Sequence, residues 1–338
     1  MNKTLLITGG NGFIGSNFIY YFLNKYPDYQ LINVDKLTYA GSTANLREVE
    51  NFENYHFIQG DIADEVLIKS VFSIYDIYGV IHFAAESHVD RSIEDAASFI
   101  ESNVLGTTVL LQAARESWEL KGELATRRFH HISTDEVYGS LGAAGKFHED
   151  TPYDPRNPYS ASKASANMLV KSFGNTYGMN VVISSSSNNY GPKQHEEKLI
   201  PTIISKSLKG ESIPVYGDGK NIRDWLYVQD HCRALDLIFH NAKPLETYNI
   251  GGGNEITNIE LAMKICDILD HLKPENHSCK ELIAFTEDRP GHDRRYAVDD
   301  TKLRETLGWE PAMDLDTGLK NTVEWYVEQW EQITQQSL

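Results

Sequence analysis

The first 35 residues constrain the fold more than any other part of the chain. An apolar segment, Thr4 to Thr8, runs into a glycine-rich stretch, and apolar residues of helical period continue to about Leu23. This order predicts a buried strand, a tight loop and a helix. Gly10, Gly12 and Gly15 fit the spacing G-x-G-x-x-G, and Gly9, Gly12 and Gly15 fit the looser G-x-x-G-x-x-G. Either spacing removes Cβ atoms where a pyrophosphate would approach backbone N–H groups at a helix start.

An acidic residue ends the next predicted strand. It favours a dinucleotide site rather than a glycine turn that binds no ligand. Gln30 to Val34 is a second apolar segment, and it ends in Asp35, twenty residues after Gly15. A carboxylate in that place can bind both hydroxyls of an adenosine ribose and repels a 2′-phosphate. We therefore predict that the cofactor is NAD rather than NADP, and that the neighbouring Lys36 is solvated.

Strand-like and helical segments alternate along the first half of the chain. A helix is predicted from Asn103 to Glu116. Such alternation predicts an α/β fold with a Rossmann-type doubly wound parallel sheet, whose functional groups gather at the carboxyl ends of the strands. The further predicted strands are Tyr55–Ile58, Gly79–Phe83, Phe129–Ser133 and Asn180–Ile183.

The pattern becomes less regular and richer in turns after about residue 186. At 338 residues the chain exceeds the usual single compact domain, so an appended region is expected. We predict an NAD-binding Rossmann domain of residues 1–186 plus about 224–252. A smaller C-terminal α/β substrate-binding region would take about 187–223 plus 253–332. The chain is predicted to end in a helix from about Glu324 to Ile333, with a frayed tail.

Composition excludes several classes of partner. A net charge of −17 argues against binding to nucleic acid or to an anionic membrane. Three widely spaced cysteines without a C-x-x-C pattern predict reduced thiols in a cytoplasmic protein, with neither disulfides nor a metal site. No apolar run approaches the length of a transmembrane helix, and the N-terminus enters a strand directly, so neither membrane spanning nor export is predicted.

Tyr159 and Lys163 stand four residues apart, which places both side chains on one face of a helix. A nearby ammonium stabilises a tyrosinate and lowers the pKa of the phenol, so the pair can act as a base. By itself the spacing is common on helix surfaces, but it carries weight when it follows a dinucleotide fold. Pro158 is compatible with a helix start, which would place Tyr159 in the first turn.

Two adjacent acids, Asp135 and Glu136, follow the apolar strand that ends near Ser133. Adjacent acids are often a solvated turn. At the end of a strand that opens onto a nicotinamide site, however, they could reach two neighbouring carbons of a sugar. Elimination of water needs an acid for the departing hydroxyl and a base for a proton made acidic by an adjacent ketone, and different environments can tune two carboxyls for these tasks.

With these motifs the chain resembles the extended short-chain dehydrogenase/reductase superfamily and, within it, the dTDP-glucose 4,6-dehydratase family, over residues 3 to 328. Agreement at so many separated places is specific. The matching stretches are Gly9 to Ser16, Val34 to Gly41, Gly60 to Ile62, Ala84 to Arg91, Ser133 to Gly139, Tyr159 to Lys163, Ser187 to Pro192, Arg223 to Tyr227 and Asp288 to His292.

The resemblance implies a reaction cycle with named roles. Tyr159, assisted by Thr134, would take the proton of the sugar O4 while the C4 hydride passes to NAD+, and Lys163 would hold the cofactor. Glu136 would then remove the C5 proton while Asp135 protonates the C6 hydroxyl, which leaves as water. Return of the hydride to C6 gives a 4-keto-6-deoxy sugar nucleotide.

The resemblance also implies the two binding sites. Arginines in the second site can bind a diphosphate with forked N–H donors despite the acidic surface. The NAD site would include Phe13, Ile14, Asp35, Lys36, Leu37, Thr38, Asp61, Ile62, Ala84, Ala85, Ser87, Ser102 and Asn189. The partner, a nucleotide-diphosphate sugar, would meet Ser87, Thr134, Asn188, Lys198, Leu199, Tyr216, Arg223, Asn258, Arg289 and His292.

Two departures leave the substrate open. Family members commonly have Tyr-Gly-Pro-Tyr-Gln where this chain has Lys193 after Pro192, and many have arginine at the position of Ser185. A 4,6-dehydratase of UDP-glucose or UDP-N-acetylglucosamine is therefore an alternative. A nucleotide-sugar 4-epimerase is a weaker one, because such enzymes ordinarily have small residues in place of Asp135 and Glu136. An NAD-binding scaffold without activity would be expected to lack the tyrosine or lysine.

The resemblance finally implies a homodimer. The helix that carries Tyr159 and the helix predicted from Asn103 to Glu116 would pair across a two-fold axis as a four-helix bundle.

Overall fold

A seven-stranded parallel sheet forms the centre of the molecule. The computed structural model describes residues 3–274, 278–288 and 292–336. The strand order is β3-β2-β1-β4-β5-β6-β10, and every neighbouring pair is parallel. The predicted Rossmann-type sheet is thereby confirmed. Its strands are β1 (Thr4–Thr8), β2 (Gln30–Asp35), β3 (Tyr55–Gln59), β4 (Ile77–His82), β5 (Arg128–Thr134), β6 (Asn180–Ser186) and β10 (Thr247–Ile250).

Helices cover both faces of this sheet, as its apolar strands require. On one face α1 (Phe13–Lys25), α8 (Val228–Asn241) and α10 (Thr301–Leu307) share a core with β1 and β2. On the other face α2 (Glu65–Ile74), α5 (Thr107–Leu120) and α6 (Pro158–Tyr177) enclose a second core around Trp118 and Phe129. No helix within the described ranges is both long and apolar enough to cross a membrane.

The helix predicted from Asn103 to Glu116 differs from the observed one. Two short helices, α3 (Val89–Glu94) and α4 (Ala96–Phe99), precede a π-helical turn over Ile100–Gly106, and α5 continues from that turn to Leu120. Asn103 lies inside the turn, where its side-chain amide donates to Glu86 O at 3.0 Å and to Ser162 Oγ at 2.8 Å. The helical period of the sequence could not predict these tertiary contacts.

The smaller C-terminal region has its own apolar core, which includes Tyr190, Trp225 and Leu261. Its strands are β7 (Asn188–Tyr190), β8 (Ile213–Tyr216), β9 (Ile222–Tyr227), β11 (Glu255–Thr257) and β12 (Ile283–Thr286). They form a three-stranded sheet, β11-β9-β7, and a two-stranded sheet, β12-β8.

Three helices complete this region, namely α7 (Leu199–Leu208), α9 (Asn258–Leu272) and α11 (Leu315–Gln336). The last begins nine residues before the predicted start at Glu324, because Leu319 and Val323 extend its buried face. The predicted domain division stays a prediction; strand β9 spans its boundary near residue 224.

The strand order reverses between β1 and β4, which are both central. In open parallel sheets, the loops at the carboxyl ends of strands diverge at such a point and leave a crevice for a ligand. The loops after β1, β2, β4, β5 and β6 therefore converge on one place.

Candidate active site

A cavity of about 370 Å³ lies at this crevice. It collects residues from all five loops, including most of the side chains that the sequence singled out. The predicted site residues that line it are Gly9, Gly12, Phe13, Ile14, Gly15, Asp35, Lys36, Thr38, Asp61, Ile62, Ala84, Ala85, Ser87, Ser102, Thr134, Asp135, Glu136, Tyr159, Lys163, Asn188, Asn189 and Lys198.

In the glycine loop between β1 and α1, backbone atoms leave no room for a larger residue at Gly9 or Gly15. Gly9 has a left-handed φ of 72°, and a Cβ there would lie 2.5 Å from Ala84 N. A Cβ on Gly15 would lie 2.4 Å from Gly9 O. Gly12 is different, because its Cβ would meet only Gly9 O, at 3.3 Å. The packing of the loop therefore does not explain the glycine at Gly12, but the missing side chain leaves space in the cavity.

Asp35, at the end of β2, is held by two backbone N–H groups. Its carboxylate accepts hydrogen bonds from Asn11 N and Leu37 N, both at 2.8 Å. Burial raises the pKa of Asp35, and these two N–H donors oppose the shift. Leu37 adopts a φ of 57° to make its contact and does not itself line the cavity.

Lys36 is exposed as predicted, but it is also paired. Its Nζ lies 2.7 Å from Asp61 Oδ2. Burial would raise the pKa of Asp61, but the hydrogen bonds from Lys36 and the Ala63 amide together lower it. The pair links the loops after β2 and β3 along the wall of the cavity.

Helix α6 presents Tyr159 and Lys163 to the cavity. Pro158 is its first residue, and Asn157 caps it through a reciprocal pair of hydrogen bonds with Ser160. Tyr159 is 8 % exposed and hydrogen-bonds with the Thr134 hydroxyl. The predicted helix start and the shared face are therefore observed.

The pKa of Tyr159 moves opposite to the predicted direction. Burial, and then the charge of Glu136, raise the pKa of the phenol, while the Thr134 hydrogen bond lowers it. Lys163 is 3 % exposed and donates to Ile132 O at 2.7 Å. Burial lowers the pKa of Lys163 to about 7, so ammonium and amine coexist near neutral pH. The spacing of the two residues could not reveal how dry their surroundings are.

The acid pair sits where β5 ends. Thr134 caps a 3₁₀ helix, Asp135–Tyr138, by accepting from Glu136 N at 3.3 Å, and its hydroxyl also lies 3.3 Å from Asp135 Oδ1. Asp135 is 2 % exposed, whereas Glu136 is half-buried. One turn of backbone thus gives two neighbouring carboxyls unequal access to water.

Asp135 has the surroundings of an acid. Burial, then the charges of Glu136 and Asp224, raise its pKa well above the ordinary aspartate value. Its Oδ2 has no hydrogen-bond partner within the described residues. A protonated carboxyl avoids the cost of a buried charge and has a proton to give to a group in the cavity.

Five predicted substrate residues lie outside the cavity lining. Leu199 starts α7 and Asn258 starts α9, while Tyr216 ends β8. Arg223 is buried, donates to the carbonyls of Ile222 and Asp293, and lies over the Tyr296 ring at 4.4 Å. His292 pairs with Asp288 at 2.6 Å and has its ring 6.4 Å from that of Tyr216. Arg289 falls outside the described residues.

Several polar residues that were not predicted as site residues also line the cavity. Glu86 follows the matched Ala84-Ala85 pair, and Ser98 and Glu101 precede Ser102, so proximity in sequence could have indicated them. Glu197 is likewise adjacent to a predicted residue, Lys198, but the sequence does not indicate its partners across the cavity. Its largely buried carboxylate lies between 3.7 and 3.9 Å from His88, Arg91, His195 and Lys198, which come from two distant segments.

The cavity thus combines a loop shaped for a pyrophosphate, a carboxylate for a ribose, a tyrosine with a lysine beside it, and two carboxyls in different surroundings. Tyrosine and lysine suit the transfer of a proton during oxidation of an alcohol. The carboxyl pair suits loss of a hydroxyl from the neighbouring carbons. The arrangement can therefore support oxidation and elimination on one bound molecule.

Comparisons with known proteins agree with this geometry. A family model described as GDP-mannose 4,6 dehydratase matches residues 6–322. A probable dTDP-glucose 4,6-dehydratase of Sinorhizobium fredii is 51% identical over 96% of this chain and 93% of its own length. The dTDP-glucose 4,6-dehydratase of Shigella flexneri is 48% identical over 96% and 92%. A crystal structure of a dTDP-glucose 4,6-dehydratase from Streptomyces venezuelae with NAD bound is 42% identical, with a TM-score of 0.90 over 97% of this chain and 98% of that one.

Proposed function

The chain belongs to the GDP-mannose 4,6 dehydratase family, and we propose that it is the member that converts dTDP-glucose to dTDP-4-keto-6-deoxyglucose and water. It is an NAD-dependent enzyme and a carbon–oxygen lyase. The relatives at about half identity carry the name of this activity. The observation that carries the proposal is that Asp135 and Glu136 line the same cavity as Tyr159 and Lys163.

The glycine loop and Asp35 fit NAD. The bare backbone at Gly12 leaves room for a pyrophosphate at the start of α1, and a Cβ there would narrow that space. Asp35 would hold the hydroxyls of the adenosine ribose, and Lys163 those of the nicotinamide ribose. NAD+ bound there supplies an acceptor for the C4 hydride and later the donor for C6.

Tyr159 is the base for the first half of the reaction. It takes the proton of the sugar O4 as the C4–H bond breaks, which leaves a ketone at C4. Its phenol must ionise to do so, and burial opposes that. Two groups favour the phenolate: the Thr134 hydroxyl by its hydrogen bond, and Lys163 when that residue is protonated.

The two carboxyls divide the elimination between them. The ketone acidifies the C5 proton, which Glu136 removes. Asp135 gives its proton to the C6 hydroxyl, the C6–O bond breaks, and water leaves with a C5–C6 double bond remaining. Hydride then adds to C6 and a proton returns to C5. The deeper burial of Asp135 makes it the acid of the pair.

The substrate side of the cavity is proposed to bind the sugar diphosphate. Lys198 Nζ donates to Ser87 O at 3.1 Å, so a residue of the smaller region meets the loop after β4 at the edge of the cavity. Asn188 and Leu199 would complete this edge. Tyr216, Arg223, Asn258 and His292, farther into the smaller region, are proposed to bind the nucleotide end together with Arg289.

A homodimer is proposed from apolar side chains on the outer helices. Ile100 and Leu105 in the π-helical turn are 50% and 49% exposed, and Met168 on α6 is 56% exposed. Pairing α5 and α6 with their copies would cover these side chains. Replacing Leu105 and Met168 together by glutamate should shift the mass measured by light scattering from two chains to one, whereas an unchanged mass would exclude this interface.

We also propose a cytoplasmic location. Cys232, Cys266 and Cys279 are buried free thiols, which a reducing compartment preserves. Fractionation of cells with an antibody to the chain would test this.

The activity is tested by offering the pure protein dTDP-glucose, UDP-glucose and UDP-N-acetylglucosamine in heavy water. We expect turnover to favour dTDP-glucose, with a 4-keto-6-deoxy product that carries deuterium at C5. Preference for a UDP-sugar would leave the chemistry in place and change the substrate. Inversion at C4 without loss of water would make the protein an epimerase and overturn the proposal.

A further inference from the structure

Lys193 joins the two sides of the cavity mouth. We define the lid segment as Gly191–Lys198 and the rim segment as Thr38–Leu46. Gln194 and His195 of the lid segment, and Thr38, Ala40 and Gly41 of the rim segment, line the cavity. Lys193 Nζ donates to Asn45 O at 2.7 Å, so an ammonium of the lid segment binds the backbone of the rim segment.

The backbone at Lys193 is strained to make this contact. Its φ of 72° lies in the left-handed region, which side chains other than glycine rarely adopt. Such strain persists only where surrounding contacts hold it. The neighbouring Pro192 O accepts from Asn17 Nδ2 at 3.0 Å, and Gln194 Nε2 donates to Asn189 O at 2.9 Å, so hydrogen bonds fix the segment on both sides of Lys193.

From Asn45 the contacts continue to the predicted ribose site. Asn45 Nδ2 donates to Asn11 O at 2.9 Å, and Asn11 N donates to Asp35 Oδ2 at 2.8 Å. Lys193 is therefore three contacts away from the carboxylate proposed to bind the adenosine ribose. A second contact runs parallel to this one, because the His195 ring meets the Tyr39 ring edge-on at 5.6 Å.

We infer that Lys193 is a positioning residue that holds the lid segment closed over bound NAD and slows its release. The inference rests on the proposed NAD site. Release of a dinucleotide from the cavity requires the lid and rim segments to separate. The Lys193–Asn45 hydrogen bond must break in that step, and a hydrogen bond from a charged, half-buried donor opposes the separation. The chemistry on the bound sugar does not need the bond to break.

The test measures how fast NADH leaves the full-length protein. Protein loaded with NADH is mixed with a large excess of NAD+, and the change in NADH fluorescence gives the release rate. Lys193→Met keeps an unbranched side chain but removes the ammonium, which lies 5.6 Å from the centroid of the Tyr20 ring. We expect release to be faster on the order of tenfold, a change of about 1.4 kcal/mol. With saturating NAD the kcat should stay near that of the wild type.

Two further variants separate positioning from general stability. Lys193→Arg retains a cation that can reach Asn45 O, so it should restore slow release. Lys302→Met is the matched control, since Lys302 Nζ also donates to a backbone carbonyl, Thr247 O at 2.7 Å, away from the cavity. It should change the thermal midpoint without changing release.

Release from Lys193→Met at the wild-type rate would overturn the inference, as would equally fast release from the Lys302→Met control. A wild-type protein that binds no NADH would instead refute the proposed cofactor site.

Discussion

Lys163 on α6 donates a hydrogen bond of 2.7 Å to the carbonyl of Ile132 on β5. The contact anchors the helix that carries Tyr159 to the strand that ends at Thr134 and is followed directly by Asp135 and Glu136. The base for oxidation and the two carboxyls for elimination are therefore held in fixed positions relative to one another. Because burial lowers the pKa of Lys163, this residue also makes the stability of the protein depend on pH.

Replacing Lys163 by methionine should reveal that dependence in the cofactor-free protein. The folded-state pKa of Lys163 is about 7, below its ordinary value of 10.5. Between these pH values the unfolded chain binds the extra proton, so this group makes the native protein more stable as pH rises and less stable as pH falls towards 7. Lys163→Met removes the effect. We expect its thermal midpoint, relative to wild type, to be most favourable near pH 7 and to lose that advantage towards pH 10.

The same variant should lose catalysis. Without an ammonium to favour the Tyr159 phenolate, kcat for dTDP-glucose should fall by roughly 10² to 10³. A variant that keeps wild-type kcat would show that Lys163 has no part in ionising the tyrosine.

Asp135→Asn should stabilise the fold while it abolishes dehydration. The folded-state pKa of Asp135 is raised, so its stabilising contribution is complete below the unfolded pKa and is lost as pH rises through the folded pKa. The asparagine variant should therefore melt higher than wild type at pH 8 and gain little at pH 4. Its kcat should fall by about 10² to 10⁴ because an amide cannot give a proton to the C6 hydroxyl.

Asp76 supplies a control of opposite sign. Arg127 and Lys121 lower its pKa to about 2, so its carboxylate stabilises the fold at neutral pH. Asp76→Asn should melt lower than wild type at pH 8. If the thermal midpoints of Asp135→Asn and Asp76→Asn at pH 8 shifted in the same direction, the assignment of Asp135 as a buried acid would fail.

Glu136→Gln should stop the reaction after oxidation. Tyr159 remains able to take the O4 proton, so mixing with dTDP-glucose should produce the absorbance of reduced nicotinamide on the protein, and that absorbance should persist. No deuterium should enter C5 in heavy water. Tyr159→Phe is the comparison, since it should give no reduced nicotinamide at all. Exchange at C5 in Glu136→Gln would assign the base to another residue.

Alanine at two glycines of the loop should separate cofactor binding from folding. A Cβ on Gly12 meets only Gly9 O, at 3.3 Å, whereas one on Gly15 meets Gly9 O at 2.4 Å and Gly10 Cα at 2.8 Å. Gly12→Ala should weaken NAD binding by roughly tenfold or more in calorimetry with little change in thermal midpoint. Gly15→Ala should lower the midpoint, because backbone atoms must shift. Equal midpoints for the two variants would contradict these separate roles of the two glycines.

Local patterns predicted six of the seven strands of the central sheet, and β10 was not among them. Strand β1 matches its predicted bounds, and β2 and β3 each extend one residue beyond theirs. Short apolar segments of this kind are enough to indicate buried strands such as β1 and β2. The Tyr159 helix was also predictable, because Pro158 marks its start. In the acid pair, motif and position at the end of a strand indicated both members, but their unequal burial came only from the structure.

Contacts between distant segments were not predictable. Lys193 and Asn45 are 148 residues apart, and Glu197 meets His88 and Arg91 from the loop after β4 and the start of α3. Nothing in the residues near Glu197 signals those partners. The smaller region was harder for the same reason, since its sheet pairs β9 with β7 and β11 across long connections.

The π-helical turn over Ile100–Gly106 limits how this part of the chain can change in length. Such a turn holds an extra residue relative to a regular helix. Deleting that residue would give a regular α-helical turn and leave the flanking helices in phase, but Asn103 would no longer occupy the wider turn that now places its side chain. The amide of Asn103 could then no longer bridge Glu86 and Ser162. Substitutions here are a milder perturbation than insertions or deletions, so library designs for this enzyme should vary residue identity in the turn and keep its length constant.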